Sequence, residues 1–128
     1  MPAWLRLGPP CVTVTDAAAK LGADPRPFVL DVRNPDEFAA GHIEGATLIP
    51  LHELTAKLGG LPRDREVICV CASGSRSRRA AKILGREGVY ALDLRGGMGA
   101  WARAGLPIAR GGGRGGGRDT GRKKPKRR

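Results

Sequence analysis

Short apolar runs separated by glycine, proline and charged residues alternate along most of the chain. The runs rich in β-branched and other apolar residues predict five strands, at residues 12–14, 28–30, 46–49, 67–70 and 89–94. The stretches between them carry apolar residues at helical spacing and end at glycine or proline. Alternating strands and helices predict an α/β fold, with a mainly parallel five-stranded sheet flanked by helices.

Residues 67–84, with the sequence VICVCASGSRSRRAAKIL, combine three of these features in one stretch. The β-branched run predicts a buried strand, which Cys71 ends. A loop of small residues follows, and Arg76 opens a segment whose apolar positions recur at helical spacing. The pattern therefore predicts a thiol at the carboxyl end of a strand, beside a loop that leads directly into a helix N-terminus.

Such a position favours a negatively charged sulfur. The first turn of a helix leaves backbone N–H groups without partners, and a tight loop can turn its own N–H groups inward. Gly74 allows the loop a positive φ angle, and Arg76 adds a positive charge. Cys71 is thus a candidate thiolate nucleophile, and the alternative is an ordinary buried cysteine in the core.

The loop C-A-S-G-S-R-S at residues 71–77 resembles the active-site loop of the rhodanese family of sulfurtransferases. Two further segments agree with that family in the same order, LDVRNPDEFAAGHIEGA at residues 30–46 and LRGGMGAW at residues 94–101. The resemblance covers residues 11–108 and implies a rhodanese-like fold in a single domain, which we place at residues 1–109.

The resemblance implies a mechanism as well. The Cys71 thiolate would take a sulfane sulfur from a small donor, thiosulfate or a persulfide, and pass it to a thiol, to cyanide or to a protein that accepts sulfur. No cofactor and no metal are implied. Ala72 stands where many relatives carry a basic residue, which leaves room for a thiol or protein persulfide as donor. The loop that would hold the anionic sulfur consists of Ala72, Ser73, Gly74, Ser75, Arg76 and Ser77.

Asp31 and Arg33 follow the second predicted strand and belong to the family's marks. A buried carboxylate needs a partner, so the two side chains either support the active-site loop or form a structural ion pair, and we favour the ion pair. His42, between a glycine and an isoleucine, is interpreted as a structural histidine.

Two other classes of function compete with sulfur transfer. A cysteine-loop phosphatase or arsenate reductase uses a similar loop for an oxyanion, but its signature is C-x5-R, whereas Cys71 and Arg76 are separated by four residues. A non-catalytic binding module would rely on the basic tail, and the presence of Cys71 speaks against it.

The charge is concentrated at the C-terminal end of the chain. Residues 1–109 contain 14 basic and 11 acidic side chains, whereas residues 110–128 contain nine basic side chains and one acid, a net charge of +8. The glycine-rich and basic composition of residues 110–128 predicts a disordered tail. This composition predicts nucleic-acid binding through phosphate contacts, and the alternative is a solvated tail that aids solubility or makes weak contacts with an acidic protein.

Other features of the sequence bear on the compartment. No apolar stretch is long enough to predict a membrane span, and the N-terminal residues lack the pattern of a secretory signal. The three cysteines, Cys11, Cys69 and Cys71, form no recognisable disulfide framework and suit a reducing compartment. We expect a cytoplasmic protein without membrane contact.

Overall fold

Within residues 8–112, five strands form one sheet in which every neighbouring pair is parallel. The structure is a computed structural model that describes residues 8–112, and the predicted tail beyond residue 112 lies outside the described residues. The strand order is β1-β5-β4-β2-β3, so β4 occupies the centre. The strands are β1 (Cys11–Val12), β2 (Phe28–Asp31), β3 (Thr47–Leu48), β4 (Val67–Val70) and β5 (Ala91–Leu94).

The helices cover both faces of the sheet and connect the parallel strands. They are α1 (Val14–Leu21), α2 (Pro35–Ala40), α3 (Ser75–Arg86) and α4 (Gly97–Arg103), with 3-10 segments at Leu51–Glu53 and Thr55–Gly60. The α/β fold with a parallel five-stranded sheet is therefore confirmed. Among the described residues, no helix is long and apolar enough to cross a membrane.

The core has two layers because side chains alternate along each strand. On one face, apolar residues such as Ile68 and Val70 pack with Met98 and Trp101 of α4. On the other face, Cys69 and Cys71 pack with Ala80, Ala81 and Leu84 of α3. Both cysteines therefore face α3, the helix that follows the loop after Cys71.

Two predictions about the first half of the chain are wrong. The first strand is Cys11–Val12, and Val14 already belongs to α1 because the Thr13 hydroxyl caps the helix by accepting the Asp16 N–H at 3.1 Å. The stretch between β3 and β4, whose apolar spacing predicts a helix, consists instead of 3-10 segments whose bonds span three residues, such as Leu54 N–H to Leu51 O. Neither segment has a side-chain cap at its N-terminus.

Candidate active site

Cys71 follows the last residue of the central strand and is buried against α3. The chain turns sharply after it because Gly74 adopts φ 115°, a value that glycine reaches without steric cost. The turn brings the Gly74 N–H to 3.0 Å from the Cys71 Sγ. Helix α3 begins at the next residue, Ser75, one residue before the predicted start at Arg76. The sulfur therefore accepts a backbone N–H at the N-terminal end of a helix.

The Ser77 hydroxyl forms the second polar contact of this sulfur. Ser77 is buried in the first turn of α3, and its Oγ lies 3.3 Å from the Cys71 Sγ. The same oxygen lies 3.2 Å from the Gly74 carbonyl oxygen and 2.5 Å from Oδ1 of Asp93, a buried residue of β5. The sulfur thus accepts one backbone N–H and lies beside a hydroxyl whose single proton has two other acceptors, the Gly74 carbonyl oxygen and Asp93 Oδ1.

Helix α4 holds the outer side of the loop by its backbone. The Met98 N–H donates to the Cys71 carbonyl oxygen at 2.8 Å, and the Gly99 N–H donates to the Ala72 carbonyl oxygen at 3.0 Å. Gly97 permits this close approach, since an added Cβ would overlap the Cys71 carbonyl oxygen and lie 2.7 Å from the Ala72 carbonyl oxygen. These bonds hold the two carbonyls against α4 and leave the Gly74 N–H directed at the sulfur.

Arg76 is engaged by Glu37 of α2 in a bidentate ion pair. The Arg76 Nη1 and Nη2 atoms lie 2.8 and 2.9 Å from the two carboxylate oxygens of Glu37. The hydrogen bonds from Arg76 lower the pKa of Glu37 to about 2. The pKa of Arg76 is raised, chiefly by Glu37 and to a smaller extent by the nearby Cys71 and Asp31. The positive charge therefore lies within electrostatic range of the sulfur, but its donors are committed to Glu37.

Asp31 and Arg33 form a buried ion pair beside the loop. Oδ1 of Asp31 accepts the Arg33 backbone N–H at 3.1 Å and Nε at 2.9 Å, while Oδ2 accepts Nη2 at 2.8 Å. Nη2 also donates to the Gly41 carbonyl oxygen at 2.7 Å. The pair thus ties the end of β2 to the end of α2, the helix that carries Glu37.

The remaining loop residues face outward or lie at its edge. Ala72 is half-buried, whereas Ser73 and Ser75 are exposed. The polar groups that reach the Cys71 sulfur come from Gly74 and Ser77. Such an arrangement can stabilise one negatively charged sulfur atom next to backbone and hydroxyl donors.

The profile of the Rhodanese-like domain family matches residues 13–104, which include every residue of this site. The chain belongs to the rhodanese-like family. The structural neighbours agree, and the resemblance of the loop and of its flanking motifs to that family is confirmed.

A protein named sulfurtransferase from Allochromatium vinosum is 43% identical over 82 residues, which cover 63% of this chain and 77% of that protein. A rhodanese-related protein from Thermoplasma volcanium superposes with a TM-score of 0.74 at 33% identity, covering 78% of this chain and 97% of the other. The thiosulfate sulfurtransferase of Pseudomonas aeruginosa gives a TM-score of 0.75 at 28% identity, covering 83% of this chain and 21% of the larger protein.

One structural neighbour bears on the alternative that the chain is a cysteine-loop phosphatase. A Rhodopseudomonas palustris protein of unknown function, described as a possible tyrosine phosphatase, superposes with a TM-score of 0.71 at 28% identity, over 82% of this chain and 88% of its own. The rhodanese-like fold is thus shared with a protein for which phosphatase chemistry has been suggested, and an assay has to separate the two reactions.

Three contributors to the site are not predicted from the sequence: Glu37, Asp93 and Gly97. Asp93 had a detectable signal, because an acid within the apolar run Ala91–Leu94 must find a partner when that strand is buried. Glu37 and Arg76 are 39 residues apart, and nothing in the local pattern of either residue identifies the other. Gly97 lies in the family-like segment at residues 94–101, but nothing in that segment indicates that its backbone approaches the loop after Cys71.

Proposed function

We propose that this rhodanese-like protein is a sulfurtransferase that carries sulfane sulfur as a persulfide on Cys71. The observation that carries the proposal is the environment of the Cys71 Sγ, which lies 3.0 Å from the Gly74 N–H and 3.3 Å from the Ser77 Oγ. Both groups can donate to an anion. The sulfurtransferase named in Allochromatium vinosum supports the reaction class.

In the first half-reaction the Cys71 thiolate attacks the outer sulfur of the donor. A bond forms between Sγ and that sulfur, and the donor's sulfur–sulfur bond breaks. With thiosulfate, sulfite leaves with the electron pair, and Cys71 carries the anionic persulfide. The Gly74 N–H, the Ser77 hydroxyl and the Arg76 charge stabilise the anion at the loop.

In the second half-reaction an acceptor removes the terminal sulfur. A thiolate attacks that sulfur and leaves as a persulfide, while cyanide leaves as thiocyanate, and either acceptor returns Cys71 as thiolate. The donors and acceptors we propose are thiosulfate or a persulfide on one side, and a thiol, cyanide or a sulfur-accepting protein on the other.

We further propose a weak contact between residues 110–128 and nucleic acid, carried by nine basic side chains against one acid. An acidic protein surface is the competing partner for this segment. The sequence of the segment contains no aromatic residue, so the contact would involve phosphates and not base stacking.

The proposal is tested by replacing each cysteine in turn. We expect Cys71→Ser to lose thiosulfate:cyanide transfer, and Cys11→Ser and Cys69→Ala to keep most of it. Cys11 lies on the edge strand β1 and is exposed, and its sulfur is 3.3 Å from Arg95 Nη2. Cys69 is buried within the central strand β4. Circular dichroism of each variant controls for folding. Equal losses in the Cys69 and Cys71 variants would contradict a single reacting cysteine.

The same proteins separate sulfur transfer from phosphatase chemistry. The residues from Cys71 to Arg76 form a loop one residue shorter than the phosphatase signature. A phosphate must place several oxygens at hydrogen-bond distance, whereas a persulfide places one sulfur there. We therefore expect sulfur transfer and no hydrolysis of an aryl phosphate. Hydrolysis that depends on Cys71, without sulfur transfer from any donor, would overturn the proposal in favour of a phosphatase.

A further inference from the structure

Asp93 carries a buried carboxyl group that takes no part in the proposed sulfur-transfer steps. It lies on β5 and is 6% exposed. Its backbone is in register with Cys69 of β4 and Cys11 of β1, and its side chain reaches Ser77 on α3. A carboxyl group in this position needs a polar partner, and the Ser77 hydroxyl at 2.5 Å provides one.

Ser77 connects this carboxyl group to the reacting sulfur. Its Oγ lies 2.5 Å from Asp93 Oδ1 on one side and 3.3 Å from the Cys71 Sγ on the other. A hydroxyl has one proton to donate and lone pairs with which to accept. Ser77 can therefore donate to the sulfur or to the carboxyl group, but not to both at once, and the Gly74 carbonyl oxygen, 3.2 Å away, competes for the same proton.

Two protonation states satisfy all three groups. In one state the Cys71 thiol donates to the Ser77 oxygen, and the Ser77 hydroxyl donates to an ionised Asp93. In the other state a protonated Asp93 donates to Ser77, and Ser77 donates to the Cys71 thiolate. When both Cys71 and Asp93 are ionised, one of two neighbouring anions loses its hydroxyl donor, and the like charges repel.

We propose that Cys71 and Asp93 share a single proton through Ser77, so that Asp93 is a positioning residue that controls when Cys71 is a thiolate. The inference rests on the proposed function in one respect, which is that Cys71 is the reacting thiol. In the transfer, the thiol proton moves from Sγ to the Ser77 Oγ, while the Ser77 proton moves from Oγ to Asp93 Oδ1. No other bond changes and no further reactant is needed.

The burial of Asp93 favours a proton there. Burial raises the pKa of Asp93, and the hydrogen bond from Ser77 and the charges of Arg78 and Arg95 oppose that rise. Both arginines are exposed, so water screens them. Among the described residues, the charged and titratable groups near this pair are Arg76 of α3 beside Cys71, Arg78 of α3 and Arg95 after β5 beside Asp93, and Cys69 of β4 near both. Cys11 of β1 is the backbone neighbour of Asp93, and Asp31 of β2 lies near Arg76.

Alkylation by iodoacetamide reports the thiolate directly, because the thiolate is the reacting form. The parent protein for the test is Cys11→Ser, which removes the exposed thiol, and Cys69 is buried. We expect its alkylation rate to rise with pH in two steps separated by a plateau, as for two groups that share one proton. The plateau is the range in which the pair holds a single proton.

Replacing Asp93 should leave a single step. The amide introduced by Asp93→Asn can donate to Ser77 as the protonated acid does, but it carries no charge that opposes the thiolate. We expect one step with its midpoint about one pH unit below the upper step of the parent. Ser77→Ala should also give one step, at higher pH than Asp93→Asn because the thiolate loses its hydroxyl donor. A one-step parent profile that superposes on that of Asp93→Asn would overturn the proposal.

A second measurement needs no change at position 93. The carboxyl carbon of Asp93, labelled with ¹³C, should titrate in two phases in the Cys11→Ser protein and in one phase after Cys71→Ser is added. Identical titration curves with and without the Cys71 thiol would overturn the proposal. Both measurements proceed without a sulfur donor. A two-step profile in a protein that transfers no sulfur would therefore support proton sharing and overturn the proposed function alone.

Discussion

Cys69 and Cys71 lie two residues apart and point to the same face of the sheet, but their surroundings differ. Burial raises the pKa of Cys69, and the nearby charges of Asp93 and Cys71 raise it further. Cys71 instead meets the Gly74 N–H and the Ser77 hydroxyl where the strand ends. The end of the strand therefore separates an inert structural thiol from a thiol whose anion has hydrogen-bond donors.

The ion pair between Glu37 and Arg76 makes the site sensitive to acid. Because folding lowers the pKa of Glu37 from 4.5 to about 2, the pair stabilises the folded state above pH 4.5, and this contribution disappears as the pH falls to about 2. A third of the Glu37 side chain is exposed. Solvent screening therefore limits the contribution to about 1 kcal/mol.

Glu37→Gln should remove this dependence. Its free energy of unfolding in urea should be about 1 kcal/mol below that of the wild type at about pH 5 and nearly equal to it at about pH 2. Glu66→Gln, which breaks the partly buried pair with Lys20, is the matched control and should keep the wild-type difference between the two pH values. A constant gap between Glu37→Gln and the wild type at both pH values would contradict the role assigned to the pair.

Among the elements, the first turn of α4 determines the shape of the active-site loop. Two of its N–H groups donate to the carbonyl oxygens of Cys71 and Ala72, and Gly97 has φ 57° where α4 meets the loop. A residue with a side chain at position 97 would combine a strained backbone with a clash against backbone atoms. The loop and α4 therefore form one structural unit, although they are separated in sequence by the whole of β5.

Gly97→Ala should destabilise the protein by at least about 2 kcal/mol, from the left-handed backbone and the clash together. Gly105→Ala is the matched control, since Gly105 also has a positive φ, 73°, but an added Cβ would contact nothing within 4 Å. We expect the control to lose about 1 kcal/mol and to keep normal transfer activity. The two variants are compared by urea unfolding and by sulfur transfer. Equal effects of the two substitutions would argue against the contact between Gly97 and the loop.

The predictable part of the site is the part that lies within one stretch of sequence. The buried strand, the turn at Gly74 and the helix after it follow from local patterns, and the structure differs from the expected start of α3 by one residue. The contacts of Ser77 with Asp93 and of Arg76 with Glu37 join residues 16 and 39 positions apart. Local periodicity identifies no partner at such separations, because these contacts form only when the elements pack together in the fold.

At the scale of the whole molecule, the chain stays hydrogen-bonded to the domain slightly beyond the boundary predicted at residue 109. His42 and Ala109 exchange two backbone hydrogen bonds of 2.8 Å, and the Gly111 N–H donates to the Ala39 carbonyl oxygen at 2.8 Å. Composition could not reveal these bonds, since the glycine-rich sequence continues through this point without a break. A truncation should therefore preserve residues up to 112.

A variant that ends at residue 112 should unfold at the same urea concentration as the full chain and transfer sulfur at the same rate. A variant that ends at residue 108 loses three backbone hydrogen bonds and should be destabilised by about 2–3 kcal/mol. Both variants should lose the salt-dependent binding of a single-stranded RNA, measured by fluorescence anisotropy. Undiminished RNA binding by the shorter chains would contradict the role proposed for residues 110–128.

The most direct test of the account is the position of the transferred sulfur. The protein is incubated separately with thiosulfate and with a small persulfide, freed of donor, and digested with trypsin. The tryptic peptide 66–76 contains both Cys69 and Cys71, and fragmentation between residues 70 and 71 distinguishes them. We predict one added sulfur atom on Cys71, released by cyanide as thiocyanate, and none on Cys69. An unmodified Cys71 after treatment with both donors would contradict the account.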